Sequence, residues 1–302
     1  MPDTTLIIHG GAGTVREEDR PAYLAGLKRA RDVGYDLLSR GAGAVEAVIA
    51  AVMSMEDDPL AFNAGTGGSP TRDGRVECDA AIMASDGSSG AVAALTRARN
   101  PIAVADKVRT STPHALFAGA GADALVDQPI DNELLLTPRT LAQLERWRRA
   151  EEGLPSGSAT VGAVALDATG AIAAATSTGG TLGKWPGRVG DTPLIGAGTY
   201  AGPAVGVSCT GKGEAFIRAV TAKGLACRLE AGATMAEALR AALAEIAAQH
   251  AHGGLIAVSA TGLMGVAFNS PHMAYALRSP AESDANVSLE AEVRIVGTRS
   301  GA

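Results

Sequence analysis

The order of elements predicts an α+β protein in which antiparallel sheets are covered by helices. Strand-like and helix-like runs come in groups rather than in strict alternation, which argues against a doubly wound parallel sheet. Two pairs of strand-like runs are joined by three-residue connections containing glycine, Ala168-Thr169-Gly170 and Ala260-Thr261-Gly262, and links that short make hairpins. Aromatic residues are only 3% of a chain that is 46% hydrophobic and holds 38 glycines in 302 residues. Such a core is built by backbones that approach closely, as in stacked sheets and tightly packed helices.

In order, Thr4 to Ile8 is a short apolar strand that runs into a turn at His9-Gly10-Gly11-Ala12-Gly13. A phosphate loop is excluded there, because no helix pattern follows at once. Residues 17–40 form a helix, with Tyr23, Leu27, Ala30 and Leu37 on one face and Gly41 as its stop. Residues 44–55 are apolar nearly all round and make a buried helix. Strands follow at 75–84 and 91–95, then short helices at 101–109 and 121–126. A charged helix covers 137–152, and a Gly/Ser/Pro linker, 153–159, is the one clear break in the chain. After it come the hairpin 161–167/171–180, a helix at 214–229 opened by Thr210-Gly211-Lys212-Gly213, and a helix at 234–250 with a Thr234…Glu237 capping box. The hairpin 255–259/263–268 and closing strands at 273–279 and 290–296 complete the chain, with no internal repeat.

Composition excludes several classes. A formal charge of −6 gives no basis for nucleic-acid binding. No apolar run is long enough to span a membrane, and no basic-plus-apolar leader opens the sequence. Cys78, Cys209 and Cys227 are odd in number and widely spaced, so each is expected to be a buried free thiol in a reducing cytoplasm. Gly183-Lys184 imitates the end of a Walker A loop, but Thr178 stands in place of its first glycine and Trp185 in place of its hydroxyl residue. His250 and His252 precede Gly253-Gly254 and read as a helix C-terminal cap rather than a chelate.

Small hydroxyl residues, glycines and an Arg–Asp pair crowd into residues 155–214. Thr160 opens one strand of the first hairpin and Thr178 closes the other, so their hydroxyls become neighbours. That suits a threonine nucleophile and a supporting hydroxyl, although a threonine at a loop-to-strand junction is also an ordinary strand start. Arg188 and Asp191 lie in a Gly/Pro-rich loop. They read either as a surface ion pair or as a receptor for the α-carboxylate and α-ammonium of an amino acid. Thr210 and Gly211 read as an oxyanion hole or as a plain helix cap, and Gly213 as a point of close approach to the backbone.

These segments, together with Ile8-His9-Gly10-Gly11-Ala12-Gly13, Phe62-Asn63-Ala64-Gly65-Thr66-Gly67, Cys78-Asp79-Ala80-Ala81-Ile82-Met83 and Gly253-Gly254-Leu255-Ile256-Ala257-Val258, give the chain a resemblance that spans nearly its whole length. It resembles the plant-type L-asparaginase/isoaspartyl peptidase family of threonine N-terminal-nucleophile hydrolases. The resemblance implies a four-layer αββα sandwich, a single domain over 1–302, and self-cleavage between Ala159 and Thr160 into 1–159 and 160–302. It implies Thr160 as nucleophile, Thr178 as the hydroxyl that orients it, Thr210 and Gly211 as the oxyanion hole, and Asn63 as a polar residue near the cleavage site. Arg188, Asp191, Thr210, Gly211 and Gly213 are then the substrate-binding set. The implied activity is hydrolysis of L-asparagine and of β-aspartyl dipeptides, without a required cofactor, by a cytoplasmic homodimer of cleaved protomers. A glycosylasparaginase, or an uncleaved inactive homologue, is the alternative. A structural sodium ion is also implied, held by main-chain carbonyls of Met55, Glu56, Asp58, Phe62, Ala64 and Thr66. The chain departs from the family pattern with Ala159 in place of glycine, Ser69-Pro70 in place of a more apolar pair, and Lys212 in the oxyanion loop.

Overall fold

Two sheets organise the chain in a computed structural model that describes residues 3–150, 160–288 and 292–297. In chain order the strands are β1 (Thr5–Gly13), β2 (Cys78–Ala84), β3 (Ser89–Leu95), β4 (Leu116–Ala118), β5 (Val161–Leu166), β6 (Ile172–Thr178) and β7 (Thr199–Ala201), then β8 (Val205–Gly211), β9 (Gly253–Ser259), β10 (Met264–Phe268), β11 (His272–Arg278), β12 (Ser283–Ser288) and β13 (Glu292–Val296). The helices are α1 (Arg20–Ser39), α2 (Ala44–Glu56), α3 (Pro101–Ser111), α4 (Ala120–Asp123), α5 (Pro138–Arg149), α6 (Gly213–Ala219), α7 (Thr221–Glu230) and α8 (Met235–Ala247). One sheet runs β12-β11-β1-β5-β6-β2-β3-β4 and the other β13-β10-β9-β8-β7. Neighbouring strands are antiparallel except β3 and β4. The α+β class read from grouped strands and short hairpins is the class observed.

Side-chain alternation sorts the core into three layers. Leu6, Ile8, Val161, Ala163, Ala165, Ala173 and Ala175 face α1 and α2. Their small size lets α2 lie close, and Gly34 of α1 crosses α2 where a Cβ would meet the Ala47 carbonyl at 2.9 Å. Ile7, Val164, Leu166 and Ile172 face the other way and meet Ile256, Val258 and Val266 of the second sheet. Val205, Val207, Leu255 and Ala257 point from that second sheet to α7 and α8. By the same alternation, Thr160, Gly162, Thr176, Thr178, Ser208 and Thr210 belong to the layer between the sheets.

Several expected boundaries moved for identifiable reasons. The glycine run after Ile8 is no turn, because β1 continues through it to Gly13, paired on one side with β11. The strand absorbs the glycines as an irregularity between His9 and Gly11, with Gly11 at φ 111°. The stretch Thr210-Gly211 ends β8 and does not open a helix. The helix expected over 214–229 is broken in two at left-handed Val220 (φ 48°, ψ 49°), where Ala222 N–H and Lys223 N–H bond the carbonyls of Ala197 and Gly196. α8 stops at Ala247, and His250 turns left-handed (φ 54°). Cys78 and Cys209 are buried free thiols, but Cys227 is exposed, on the outer side of α7. The linker 153–159, the last residues of the helix expected to reach 152, and the start of the strand expected at 290 lie outside the described residues.

A Cβ at Gly162 would run into the Ser208 hydroxyl and the His9 ring. Gly162→Ala is therefore expected to destabilise the protein by about 1–3 kcal/mol. Gly121→Ala, whose Cβ would meet only Phe117 at 3.8 Å, serves as the control in the same thermal unfolding series.

Candidate active site

The register of the hairpin pairs Val161 with Ser177, which sets Thr160 beside Thr178. Thr160 Oγ1 donates to Thr178 Oγ1 at 2.9 Å. Thr178 Oγ1 also accepts from the Gly180 N–H at 2.9 Å. Both threonines are buried. Thr210 lies in the same layer at the end of β8, where its hydroxyl accepts from Ala12 N–H at 3.2 Å. Asn63 braces the turn after Thr178. Its Nδ2 donates to the Gly180 carbonyl (2.7 Å), its Oδ1 accepts from Ser69 N–H (2.5 Å), and its carbonyl accepts from Gly179 N–H (2.9 Å).

Beneath this pair runs a buried hydroxyl chain that the sequence did not announce. His9 Nε2 meets Ser208 Oγ at 2.9 Å, Ser208 meets Thr176 Oγ1 at 2.7 Å, and Thr176 meets Thr199 Oγ1 at 2.7 Å. Burial lowers His9 to about 3, opposed by a hydrogen bond with the Thr160 main chain. Burial thus favours the neutral imidazole, which hydrogen-bonds the main chain at the start of β5.

Arg188 and Asp191 come together but do not pair with each other. The Arg188 Nε and Nη2 groups both donate to Glu214 Oε1, at 3.0 and 2.9 Å. Asp191 is 5% exposed, and its Oδ2 has no hydrogen-bond partner. A Cβ at Gly213 would stand 2.9 Å from Asp191 Oδ1 and 3.0 Å from Arg188 Nη2, so both groups converge on a space that only glycine leaves open. Asp79 fixes this loop from below: it pairs with Thr178 in the sheet, and its carboxylate accepts from Gly190 N–H (3.2 Å) and Ala94 N–H (2.9 Å). Glu214 and Asp79 both sit inside or beside quoted motifs, which was the only signal available for them. Lys212 is exposed at the foot of α6. Ala159 lies outside the described residues.

Of the six residues implied as carbonyl ligands, Met55 and Glu56 end α2 and Asp58, Phe62, Ala64 and Thr66 lie in the segment after it, and several of their groups are already engaged. The Glu56 carbonyl accepts from Thr66 N–H at 2.9 Å and the Met55 carbonyl from Asp58 N–H at 3.2 Å. The Phe62 carbonyl accepts from Arg139 Nη2 at 2.5 Å. No group of three or more His, Cys, Asp or Glu side chains suited to a metal occurs among the described residues. His252 bonds the Asn269 carbonyl through Nδ1 at 3.0 Å.

The site thus holds a buried pair of threonine hydroxyls, a carboxylate with an unsatisfied oxygen and a guanidinium held by a third residue. The chain belongs to the asparaginase family, whose model matches residues 2–287, and it is a hydrolase of that family. It is 41% identical over 297 residues to the plant-type L-asparaginase of Pyrococcus horikoshii, covering 90% of this chain and 95% of that protein. The isoaspartyl peptidase of Salmonella typhimurium is 40% identical over 298 residues, covering 90% and 94%. The isoaspartyl peptidase/L-asparaginase of Bos taurus is 38% identical over 283 residues, covering 90% and 92%. No helix among the described residues is long and apolar enough to cross a membrane.

Burial raises the Asp191 carboxyl from 3.8 to about 7. The folded chain therefore holds this proton more tightly than the unfolded chain does. The stability it contributes is complete below about pH 4 and is lost as the pH rises through about 7. Asp191→Asn removes that loss, so it is expected to be more stable than the unsubstituted protein at pH 8, by on the order of 1–3 kcal/mol. The gain should vanish at pH 4. Thermal unfolding at the two pH values checks both the size and the sign.

Proposed function

We propose that this hydrolase cleaves β-aspartyl amide bonds, in L-asparagine and in β-aspartyl dipeptides, with Thr160 as an N-terminal nucleophile. The observation that carries the reading is the Thr160–Thr178 hydroxyl pair in the layer between the sheets, at 2.9 Å. A threonine hydroxyl needs a base, and the buried His9, lowered to about 3, is too weak a one. A free α-amine at Thr160, with a reference pKa of ~7.7, supplies it. The reading therefore includes cleavage of the Ala159–Thr160 bond, giving fragments 1–159 and 160–302 of a four-layer αββα sandwich.

In the proposed reaction the α-amine of Thr160 takes the proton from its own Oγ1 as that oxygen attacks the β-carbonyl. Thr178 orients the attacking oxygen, and it is itself held by Gly180 N–H. The Thr210 hydroxyl and neighbouring main-chain donors steady the oxyanion. Collapse transfers the proton to the leaving amine, releases ammonia or an amino acid, and leaves an aspartyl ester on Thr160. Water, deprotonated by the same amine, then hydrolyses the ester. Asp191, with Oδ2 unsatisfied, takes the substrate α-ammonium. Arg188, aligned by Glu214, takes the α-carboxylate. These two charges are fixed features of the aspartyl group, so the same receptor serves both substrates while the leaving group varies. The relatives are L-asparaginases and isoaspartyl peptidases, which gives no support to a glycosylasparaginase.

The maturation step is read by intact mass after expression. Two fragments divided before Thr160 are expected, with slower conversion than in a glycine-preceded relative because a Cβ at Ala159 restricts φ and ψ. Thr160→Ala should abolish both cleavage and turnover, and Thr160→Ser should keep part of the cleavage. A chain that stays full length while hydrolysing asparagine contradicts the reading.

Asp191→Ala leaves a substrate ammonium without its partner, a loss on the order of 2–5 kcal/mol in kcat/KM. The loss is expected for asparagine and β-aspartyl dipeptides alike, in parallel assays. Lys212→Thr should weaken dipeptide turnover alone if the exposed lysine draws the leaving group's carboxylate, and equal effects on both substrates would leave Lys212 a solvated surface charge.

A further inference from the structure

Two main-chain carbonyls of the segment after α2, those of Phe62 and Gly67, accept from a cation that the chain itself provides. Arg139 is the second residue of α5, whose start is set by Thr137, the side chain of which accepts from Thr140 N–H at 3.2 Å. From there Arg139 Nη2 donates to the Phe62 carbonyl at 2.5 Å and to the Gly67 carbonyl at 3.0 Å. The guanidinium makes no salt bridge among the described residues. The nearby carboxylates are committed elsewhere: Asp58 to Arg29 at 2.5 Å and Asp19 to Arg16 at 2.8 Å. Gly67 has φ +88°, and a Cβ there would come within 3.0 Å of Arg139 Nη2. The loop is thus shaped to admit the guanidinium, and Gly67 N–H bonds the Leu135 carbonyl at 2.8 Å from the same side.

A sodium ion on this loop does not fit these contacts. The Phe62 carbonyl is already turned to a full positive charge, and a second cation beside it would be repelled strongly where water is scarce. We propose that the Arg139 guanidinium takes the place of a bound alkali cation on this loop and, through it, acts as a positioning residue for Thr160. The path is short. Phe62 precedes Asn63, Asn63 holds the Gly179-Gly180 turn, and Gly180 N–H holds Thr178 against Thr160. The positioning half rests on the proposed function; the cation half does not.

The test compares the unsubstituted protein, Arg139→Ala and Arg139→Lys by thermal unfolding in sodium chloride and in choline chloride of equal ionic strength. Steady-state asparagine hydrolysis follows in both salts. The unsubstituted protein should show the same Tm in both. Arg139→Ala should unfold lower in choline chloride by about 2–4 °C or more and recover part of the difference in sodium chloride, since its carbonyls are then free. Its kcat should fall by on the order of 10-fold with KM little changed, because the substrate receptor lies elsewhere. Arg139→Lys, which keeps a cation at the loop, should stay closer to the unsubstituted protein and indifferent to sodium. A saturable rise in the Tm of the unsubstituted protein with sodium overturns the proposal. So does an Arg139→Ala variant with unchanged Tm and kcat in choline chloride. The Tm measurements stand even if asparagine proves not to be the substrate.

Discussion

Everything at the site depends on how the layer between the two sheets changes along its length. At one end Val164, Leu166, Ile172, Ile256 and Val258 fill it with apolar side chains. At the other end it is lined by Gly162 of β5, Thr176 of β6, Ser208 of β8 and Thr199 of β7, with His9 bonded to Ser208. Buried hydroxyls are tolerated only if each finds a partner. They therefore form a chain that ends on the Thr192 carbonyl, to which Thr199 donates at 3.0 Å. The chain fixes β1, β6, β7 and β8 to one another by directional bonds where apolar packing alone would allow small slips. Thr160, Thr178 and Thr210 are the next residues on the same faces. The Thr160 oxygen is placed by the sheet register, and the loops carry the nearby charged residues.

Those charges are arranged by cooperation between loops and strands. Asp79 projects from β2 and bonds Gly190 N–H, which holds the loop carrying Arg188 and Asp191 against β6. Glu214 neutralises Arg188 and aims it, so Asp191 keeps an unsatisfied oxygen in a buried position. An Arg188–Asp191 ion pair would have cancelled both groups before a substrate arrived. Pairing Arg188 with Glu214 instead leaves Asp191 unsatisfied, which under the proposed function suits a zwitterionic substrate.

Parts of this were legible in the sequence because they are local. The hairpin of β5 and β6 follows from alternating small apolar residues around Asp167-Ala168-Thr169-Gly170, and its closure puts Thr160 beside Thr178. The capping box at Thr234 and Glu237 is equally local and is present. Other features are decided by groups that leave no local trace. The glycines after His9 read as a turn until pairing with β11 carries the strand through them. Val220 breaks a helix because Ala197 and Gly196 carbonyls draw the next turn away. Arg139 looks like one more charge on a polar helix, since its acceptors are main-chain carbonyls of residues more than seventy positions earlier. Glu214 and Asp79 stood within recognisable motifs, but only the three-dimensional contacts give them work to do.

The central claim is that the Thr160 oxygen forms the covalent intermediate, and trapping that intermediate tests it most directly. The protein is mixed with L-asparagine, quenched in acid during turnover and digested for peptide mapping by mass. The account predicts one aspartyl group, carried as an ester on a peptide that begins at Thr160. An aspartyl group on any other residue, or turnover by a chain in which residues 159 and 160 are still joined, would contradict it.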